Sequence, residues 1–438
     1  MSIELITAVM FGGLILLLLA GVPIAFVCGA MAVIATILVL GPGAFYLVVS
    51  HVWTEMTEFS LAAIPLFIFM ANVLERSGVG ERLFGAIHVW MGPIPGSLAV
   101  STILATTVLA AMVGIVGAGE VLMGLIALPA MLNRGYSKSL ALGCILAGGG
   151  LGQLIPPAVM LIVYGLVANV SIGKLFAGGL GAGLLLAGLY IAYIMIRSTL
   201  QPHLAPPAPP EERAVPLTDK IIALKGVILP LLLVLAVLGS IFQGVATPTE
   251  AAGVGAVGAL LSAAVHRKLN WQNVKDACIR STRSTCMILW IFFAVSAFSG
   301  VFTLAGGGEL VESTILDLPL GPWGILIAIQ VFYIIMGVPM DWLGILLITG
   351  PVVIPIVKDL GFDLVWFGVL FDVNMQIAYL SPPVGSAMFY LKSVAPPDIS
   401  MGDIFRAALP FAGLQFIGLI LIMIFPEIVL YPAEVLVK

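Results

Sequence analysis

The chain has 438 residues, of which 61% are apolar and 9% are charged, and its mean hydropathy is +1.19. Soluble domains carry about 25% charged residues, so this composition predicts a helical membrane protein with roughly ten crossings of about 20 residues and no room for a soluble domain. The net charge of -4 provides no basic surface and excludes a nucleic-acid-binding protein.

Apolar stretches predict the crossings in chain order. They cover 3–21, 22–41, 61–77, 138–166 and 176–198, then 221–242, 248–266, 284–303, 364–392 and 407–430. Two further apolar stretches, 97–132 and 323–357, are too long for one span and are interrupted near their centres, so we interpret each as a re-entrant hairpin. The Pro-rich segment 201–220 between the halves is predicted to be a cytoplasmic linker, which separates 1–200 from 221–438.

The cysteines, the histidines and the glycine motifs argue against a zinc site and against ATP hydrolysis. The four cysteines form no C-x-x-C pair, and the four histidines have no zinc-protease spacing. Gly173-Lys174 resembles the end of a phosphate-binding loop, but Leu175 stands where that loop needs Ser or Thr. We therefore expect no ATP hydrolysis by that route.

The basic residues test this topology. With the linker in the cytoplasm, only Lys174, Lys358 and Lys438 of the 18 Lys and Arg residues fall outside. This is the bias that the positive-inside rule describes, and counting either hairpin as a full crossing would reverse it downstream. The topology therefore places both termini on the outer side, which in a bacterial inner membrane is the periplasm.

An internal repeat appears at a shift of 226 residues. Residues 124–157 and 350–383 then match at Gly124/Gly350, Pro129/Pro355, Gly135/Gly361, Leu154/Leu380, Pro156/Pro382 and Pro157/Pro383. Gly and Pro dominate these matches, and both fix backbone geometry. Since each half has five crossings, the two copies are predicted to have opposite orientations, as in secondary transporters that work by alternating access.

The proline pairs predict broken helices over 138–166 and 364–392. Proline removes a backbone donor, and the carbonyls it frees must line protein or a water-filled cavity, where they can bind a cation such as sodium. A hairpin tip is expected opposite each break, near 114–119 and 337–343. The predicted sodium ligands at tips and breaks are Gly114, Val116, Gly152, Pro156, Met340, Ser381 and Gly385.

Polar residues inside apolar stretches predict a substrate site. Neither hairpin contains Lys or Arg, so we expect an anion to be held mainly by helix N-termini. The predicted substrate-binding residues are Gly117, Gly119, Gln153, Asp341, Asn374 and Gln376. Glu120 has two readings, a functional role or a contact within the first hairpin. Thr247 or Thr249 with Glu250 predicts a helix cap.

Several motifs together resemble the large membrane subunit of tripartite ATP-independent periplasmic (TRAP) transporters, with a local similarity to the mannitol or chloroaromatic subgroup. They include Ile64-Pro65-Leu66-Phe67, Ile155-Pro156-Pro157, Val170-Ser171-Ile172-Gly173-Lys174-Leu175-Phe176, Ala246-Thr247-Pro248-Thr249-Glu250 and Ser381-Pro382-Pro383-Val384-Gly385. The resemblance implies a small four-helix membrane subunit and a periplasmic solute-binding protein as partners. It also implies import of an organic acid with Na+ by an elevator movement. This family often has Ser-Gly-Ser-Ser at the first tip, so Val113-Gly114-Ile115-Val116 implies a sodium site that uses carbonyls or is altered.

Two other functions compete with this interpretation. A self-sufficient sodium–anion symporter or efflux carrier would have the same architecture but need no partner. An intramembrane aspartyl protease could use Asp341 and Asp372, but the Gly-x-Gly-Asp sequence of such enzymes does not occur. We therefore expect a transporter and not an enzyme.

Overall fold

The computed structural model describes residues 2–114, 117–209, 215–338, 340–382 and 385–438, with the exception of the Leu19 side chain. Helices dominate the first half. They are α1 (Ile3–Leu19), α2 (Ile24–Ala35), α3 (Phe45–Met56), α4 (Ala63–Arg76), α5 (Val79–Met91), α6 (Ser97–Val113), α7 (Ala118–Asn133), α8 (Lys138–Gly150), α9 (Val159–Ala168) and α10 (Ile172–Leu200).

The second half has the same helical character. Its helices are α11 (Leu217–Leu224), α12 (Ile228–Phe242), α13 (Pro248–Val265), α14 (Trp271–Leu304), α15 (Gly307–Leu316), α16 (Gly321–Gly337), α17 (Trp342–Asp359), α18 (Leu364–Tyr379), α19 (Ser386–Val394), α20 (Met401–Ile424) and α21 (Glu427–Leu436). The predicted all-helical class is confirmed.

Six helices within the described ranges are long and apolar enough to cross a membrane. They are Phe59–Arg76, Ile172–Leu200, Pro248–Val265, Trp271–Leu304, Trp342–Asp359 and Met401–Ile424. The pair α11 and α12, which bends by 57°, would make a seventh if it is one span. The shorter apolar helices include three of the four hairpin arms and one half of each broken crossing, and α17, the fourth arm, is among the six long helices. The chain is a multi-pass membrane protein.

Both hairpins form at the predicted positions. In the first, α6 ends at Val113 and α7 begins at Ala118; in the second, α16 ends at Gly337 and α17 begins at Trp342. Gly114 lies in the left-handed region at φ +63°, where a side chain would be strained. The tips therefore form where small or capping residues allow the chain to reverse.

Both predicted breaks are also present. After α8 the chain makes one 3-10 turn, Leu151–Gln153, and runs without helix to α9. In the second half the helix stops at Tyr379 and resumes at Ser386. Prolines that lack an N–H group lie in both interruptions, as expected. Pro383 and Val384 lie outside the described residues.

The order hairpin, broken helix, long helix occurs once in each half. The long helices α10 and α20 both begin after a Ser N-cap, since the Ser171 hydroxyl accepts from the Lys174 N–H and the Ser400 hydroxyl from the Asp403 N–H. This shared cap accounts for the recurring Ser-x-Gly sequence at both helix starts. The opposite orientation of the two halves, and the unit boundaries at 200 and 221, stay predictions.

Several elements were not predicted from hydropathy. The short helices α3, α5, α15 and α21 lie between or beyond the crossings, and α14 begins at Trp271, well before the predicted start at 284. Within the predicted linker, the Leu204 carbonyl accepts a hydrogen bond from the Ser137 N–H at 2.9 Å, and α11 begins at Leu217. The predicted Glu250 cap is confirmed as a capping box with Thr247.

A surface ion pair links α8 to the connection before α20. The Lys138 ammonium donates to Asp398 Oδ2 at 2.7 Å, which holds the pKa of that carboxyl below its ordinary value. Because the folded-state pKa is lowered, the stabilisation is present above the ordinary value of about 3.9 and is lost as pH falls through the folded-state value. We predict that Asp398→Asn slightly lowers the melting temperature at neutral pH and that this difference vanishes in acid.

The matched control is Lys138→Met, which should give the same small loss. The double variant should be no less stable than either single variant, because both remove one interaction. High salt should shrink the difference, since both side chains are largely exposed. A melting difference that persists unchanged in acid would contradict this assignment.

Candidate functional site

The first hairpin tip lies directly on the first break. The Gly114 carbonyl accepts a hydrogen bond from the Val159 N–H at 3.4 Å, at the start of α9. A Cβ on Gly114 would lie 2.0 Å from the Pro157 carbonyl oxygen. Only glycine permits this approach of two backbones. The predicted ligand Val116 lies outside the described residues.

The other side of this tip is held by Glu120. Its Oε2 accepts from the Gly117 N–H at 2.9 Å, and Glu120 is fully buried. A Cβ on Gly119 would lie 3.1 Å from the Gly149 Cα, so α7 and the end of α8 are in backbone contact. Glu120 thus makes the contact within the first hairpin that the sequence left open. Its Oε1 has no partner among the described residues.

The second tip contacts the second break through a carboxylate. Asp341 caps α17, where its Oδ1 accepts from the Leu343 N–H at 3.0 Å, and its Oδ2 accepts from the Tyr379 hydroxyl at 3.2 Å. A Cβ on Gly337 would lie 2.4 Å from the Ala378 Cβ. The two halves therefore use the same arrangement, a hairpin tip pressed against a broken helix.

The two arrangements also meet each other. The Tyr390 ring of α19 lies 3.1 Å from the position of a Cβ on Gly117. The Gln153 side chain, in the first break, lies near the Tyr379 hydroxyl of the second. We call these six residues, Gly114, Gly117, Gln153, Asp341, Tyr379 and Tyr390, the tip–break site.

The remaining predicted sodium ligands lie in or beside the breaks and tips. Gly152 is in the buried 3-10 turn, and Pro156 follows it with a cis peptide bond to Pro157. The Met340 N–H donates to the Met336 carbonyl at 3.2 Å. The Ser381 hydroxyl donates to the Ile377 carbonyl at 2.7 Å, and the Gly385 N–H donates to the Ser381 carbonyl at 3.2 Å.

Two predicted substrate residues point away from the tips. Asn374 is buried and its Nδ2 donates to the backbone carbonyl and to Oε1 of Gln330 on α16, at 2.9 and 2.8 Å. Gln376 is equally buried, on the side of α18 that faces the end of α8. The structure thus brings Gln153 and Asp341 together at Tyr379, sets Gly117 against Tyr390, and directs the two amides of α18 to Gln330 and to the end of α8.

A cavity of about 1090 Å³ opens beside α17. It is bounded by α3 and the turn after it, the α9–α10 and α12–α13 connections, the C-terminal part of α14 and Lys438, with Leu347 and Pro351 from α17. Its polar residues include His51, Glu55 and Lys438. These segments all fall on the side predicted to be exterior.

The sequence did not predict Tyr379 and Tyr390 of the tip–break site, nor two buried amides elsewhere, Gln330 beside Asn374 and Gln415 on α20. Gln330 and Gln415 interrupt apolar helices, so the rule that selected Gln153 could have found them. Tyr379 stands two residues before Ser381 of the second break, but its role depends on the packing of the second hairpin. No such signal marks Tyr390.

A family model described as "Tripartite ATP-independent periplasmic transporter, DctM component" matches residues 11–428. The chain belongs to this TRAP transporter family. It is 31% identical over 394 residues to the C4-dicarboxylate TRAP transporter large permease protein DctM of Pseudomonas aeruginosa, covering 90% of each chain. It is also 31% identical to the isethionate TRAP transporter permease protein DctMQ of Oleidesulfovibrio alaskensis, covering 97% of this chain and 66% of that protein.

The fold is shared more widely than the sequence. The crystal structure of the Alcanivorax borkumensis YdaH transporter superposes with a TM-score of 0.63 at 15% identity, covering 88% of this chain and 90% of that one. This likeness concerns the fold alone. The family membership confirms the resemblance found in the motifs and identifies the chain as a TRAP transporter membrane subunit.

Proposed function

We propose that this TRAP subunit imports a small organic acid together with sodium ions across the bacterial inner membrane. In this proposal a periplasmic solute-binding protein delivers the substrate, and a small four-helix subunit supports the permease. The observation that carries the proposal is the tip–break site, in which each hairpin tip contacts the broken helix of its own half among apolar helices. The named relatives handle C4-dicarboxylates and isethionate, which are small acids.

The helix N-termini in the tip–break site differ in a way that suits an anion. Two of them have acidic side chains bound to their free N–H groups. Glu120 accepts from the Gly117 N–H at the start of α7, and Asp341 caps α17. The helices that begin within the breaks, α9 and α19, have no side-chain cap, because Ala158 and Gly385 precede them. Apart from the Val159 N–H, which donates to the Gly114 carbonyl, their first-turn N–H groups and positive dipole ends are therefore the donors we assign to a substrate carboxylate.

The acidic tips suit the coupling cation. Asp341 lies at the second break, and Gly114 presents a carbonyl at the first. Sodium prefers such oxygen ligands, and each site would lose a ligand when tip and break separate. This geometry couples ion binding to the closure of the hairpins over the substrate.

The exterior cavity supports the elevator movement. It lies between α3 and the α9–α10 connection, and α14 and α17, which pack on each other, also line it. We propose that α3 and α14 belong to a static scaffold and that the hairpins and broken helices move past it. The cavity then corresponds to the side from which the binding protein delivers its solute, and both termini face the same side.

Reconstitution tests this function. Purified chain is placed in liposomes with its proposed small subunit and liganded solute-binding protein, and uptake of labelled carboxylates and sulfonates is measured under an inward sodium gradient. We expect uptake only when all three components and sodium are present. Uptake by the chain alone would overturn the partner requirement and favour a self-sufficient symporter.

A further inference from the structure

A second group of polar side chains lies outside the tip–break site. Asp372 and Gln376 of α18, Gln415 of α20 and Tyr190 of α10 are each at most 1% exposed. Their side-chain oxygens and amide nitrogens have no hydrogen-bond partner among the described residues. Buried polar groups are nearly always paired, so a cluster with seven unpaired atoms indicates a missing ligand. We call these four residues the deep polar cluster.

The end of α8 brings this cluster together. A Cβ on Gly150 would lie 3.9 Å from both Gln376 Oε1 and Gln415 Nε2. Asp372 and Gln376 are four residues apart and share one face of α18. The Gln376 amide lies beside the Asp372 carboxyl, and the Gln415 amide lies beside the Tyr190 hydroxyl. Glycine at 150 leaves the polar atoms facing one another across a backbone without a side chain.

Neither carboxylate oxygen of Asp372 accepts a hydrogen bond from a basic side chain within the described ranges. α18 contains neither Lys nor Arg, and α8, α10 and α20 carry only Lys138, Lys174, Arg197 and Arg406. The nearest in sequence, Arg197, lies seven residues beyond Tyr190, which is about 10 Å along the helix. Its guanidinium lies 5.8 Å from the Tyr193 ring centre. The other acidic side chain nearby, Glu120, packs on Gly149 on another side of α8.

We propose that the deep polar cluster is a monovalent cation site that binds sodium, separate from the ions at the hairpin tips. The Asp372 carboxylate supplies the charge, and the oxygens of Gln376, Gln415 and Tyr190 supply neutral ligands of the kind that hard cations select. One carboxylate neutralises one positive charge, so a divalent ion would leave a net charge buried in the membrane. Asp372 is the one His, Cys, Asp or Glu residue among the four, so the cluster lacks the nitrogen and sulfur ligands that transition metals favour.

The location gives the site a mechanical role. Gly150 ends the first half of one broken helix, and Asp372 lies two turns before the second break. A cation held there would join α18 to α10 and α20 beside the end of α8, and so tie the second broken helix to the two long helices. This inference concerns binding alone and does not depend on the substrate or on the partners.

Equilibrium binding of radioactive sodium to the full chain in detergent tests the proposal. Asp372→Asn keeps the shape and removes the charge, so we expect one fewer sodium bound per chain, with affinity at that site lowered by at least about 100-fold. Gln415→Leu removes a neutral ligand and should weaken the same site by about tenfold. Gln330→Leu, a buried amide outside the cluster, should leave the sodium count unchanged.

The outcomes separate the alternatives. If Asp372 is simply a protonated core residue, Asp372→Asn will bind as many sodium ions with the same affinity as the wild type, and the proposal fails. If Asp372→Asn does not fold, Gln415→Leu and Gln376→Leu decide the question by the same measurement. An unchanged sodium count and affinity in both glutamine variants would also overturn it.

Discussion

Gly114→Ala is expected to lower sodium-driven uptake by at least about 100-fold, in protein that still inserts into the membrane. The added Cβ would lie 2.0 Å from the backbone oxygen of Pro157, and a backbone atom cannot move aside as a side-chain end can. The substitution also places alanine at φ +63°, which costs about 1–2 kcal/mol. The tip must therefore withdraw from the break, and its carbonyl leaves the Val159 N–H.

Gly361→Ala is the matched control for this experiment. Gly361 has a φ of +84°, in the turn between α17 and α18, and a Cβ there would meet nothing within 4 Å. Both variants carry the cost of a left-handed alanine, but only Gly114→Ala collides with a break. Uptake should therefore survive in Gly361→Ala, with a lower melting temperature. Equal loss of uptake in the two variants would show that backbone strain, and not contact between tip and break, explains the effect.

The architecture could be predicted from sequence because backbone chemistry dictates it. Proline cannot donate and glycine can turn, so Pro156 and Gly114 mark a break and a tip without any knowledge of packing. The Thr247 cap with Glu250 was predictable for the same reason, since cap and partner are three residues apart. Breaks, tips and caps depend on residues close together in the sequence, and they could therefore be predicted.

Contacts between residues far apart in the sequence could not be predicted from these local patterns. Asp341 could be selected as a polar residue in an apolar stretch, but its bond to the Tyr379 hydroxyl depends on how α17 meets α18. Asn374 and Gln376 are two residues apart on one helix and so point to different faces, one towards Gln330 and the other towards Gly150. Hydropathy finds all these residues but does not say which face meets which helix.

Asp341 provides the second large effect, because its two roles can be separated. It caps α17 and it places a carboxylate against the second break. Asparagine caps helices about as well as aspartate, so Asp341→Asn keeps the cap and removes only the charge. We expect near-normal thermal stability without sodium, and a sodium affinity in transport that is weaker by at least about tenfold, since a charge near an ion contributes several kcal/mol at low dielectric.

Asp363 allows the cap to be tested on its own. It caps α18, where its Oδ1 accepts from the Val365 and Trp366 N–H groups, at the opposite end of that helix from the break. Asp363→Ala should lose about 1 kcal/mol of stability and keep its sodium dependence, whereas Asp341→Ala should lose both. If Asp341→Asn transported with wild-type sodium affinity, the carboxylate would be only a cap, and the coupling ion at the second break would have to rely on backbone oxygens alone.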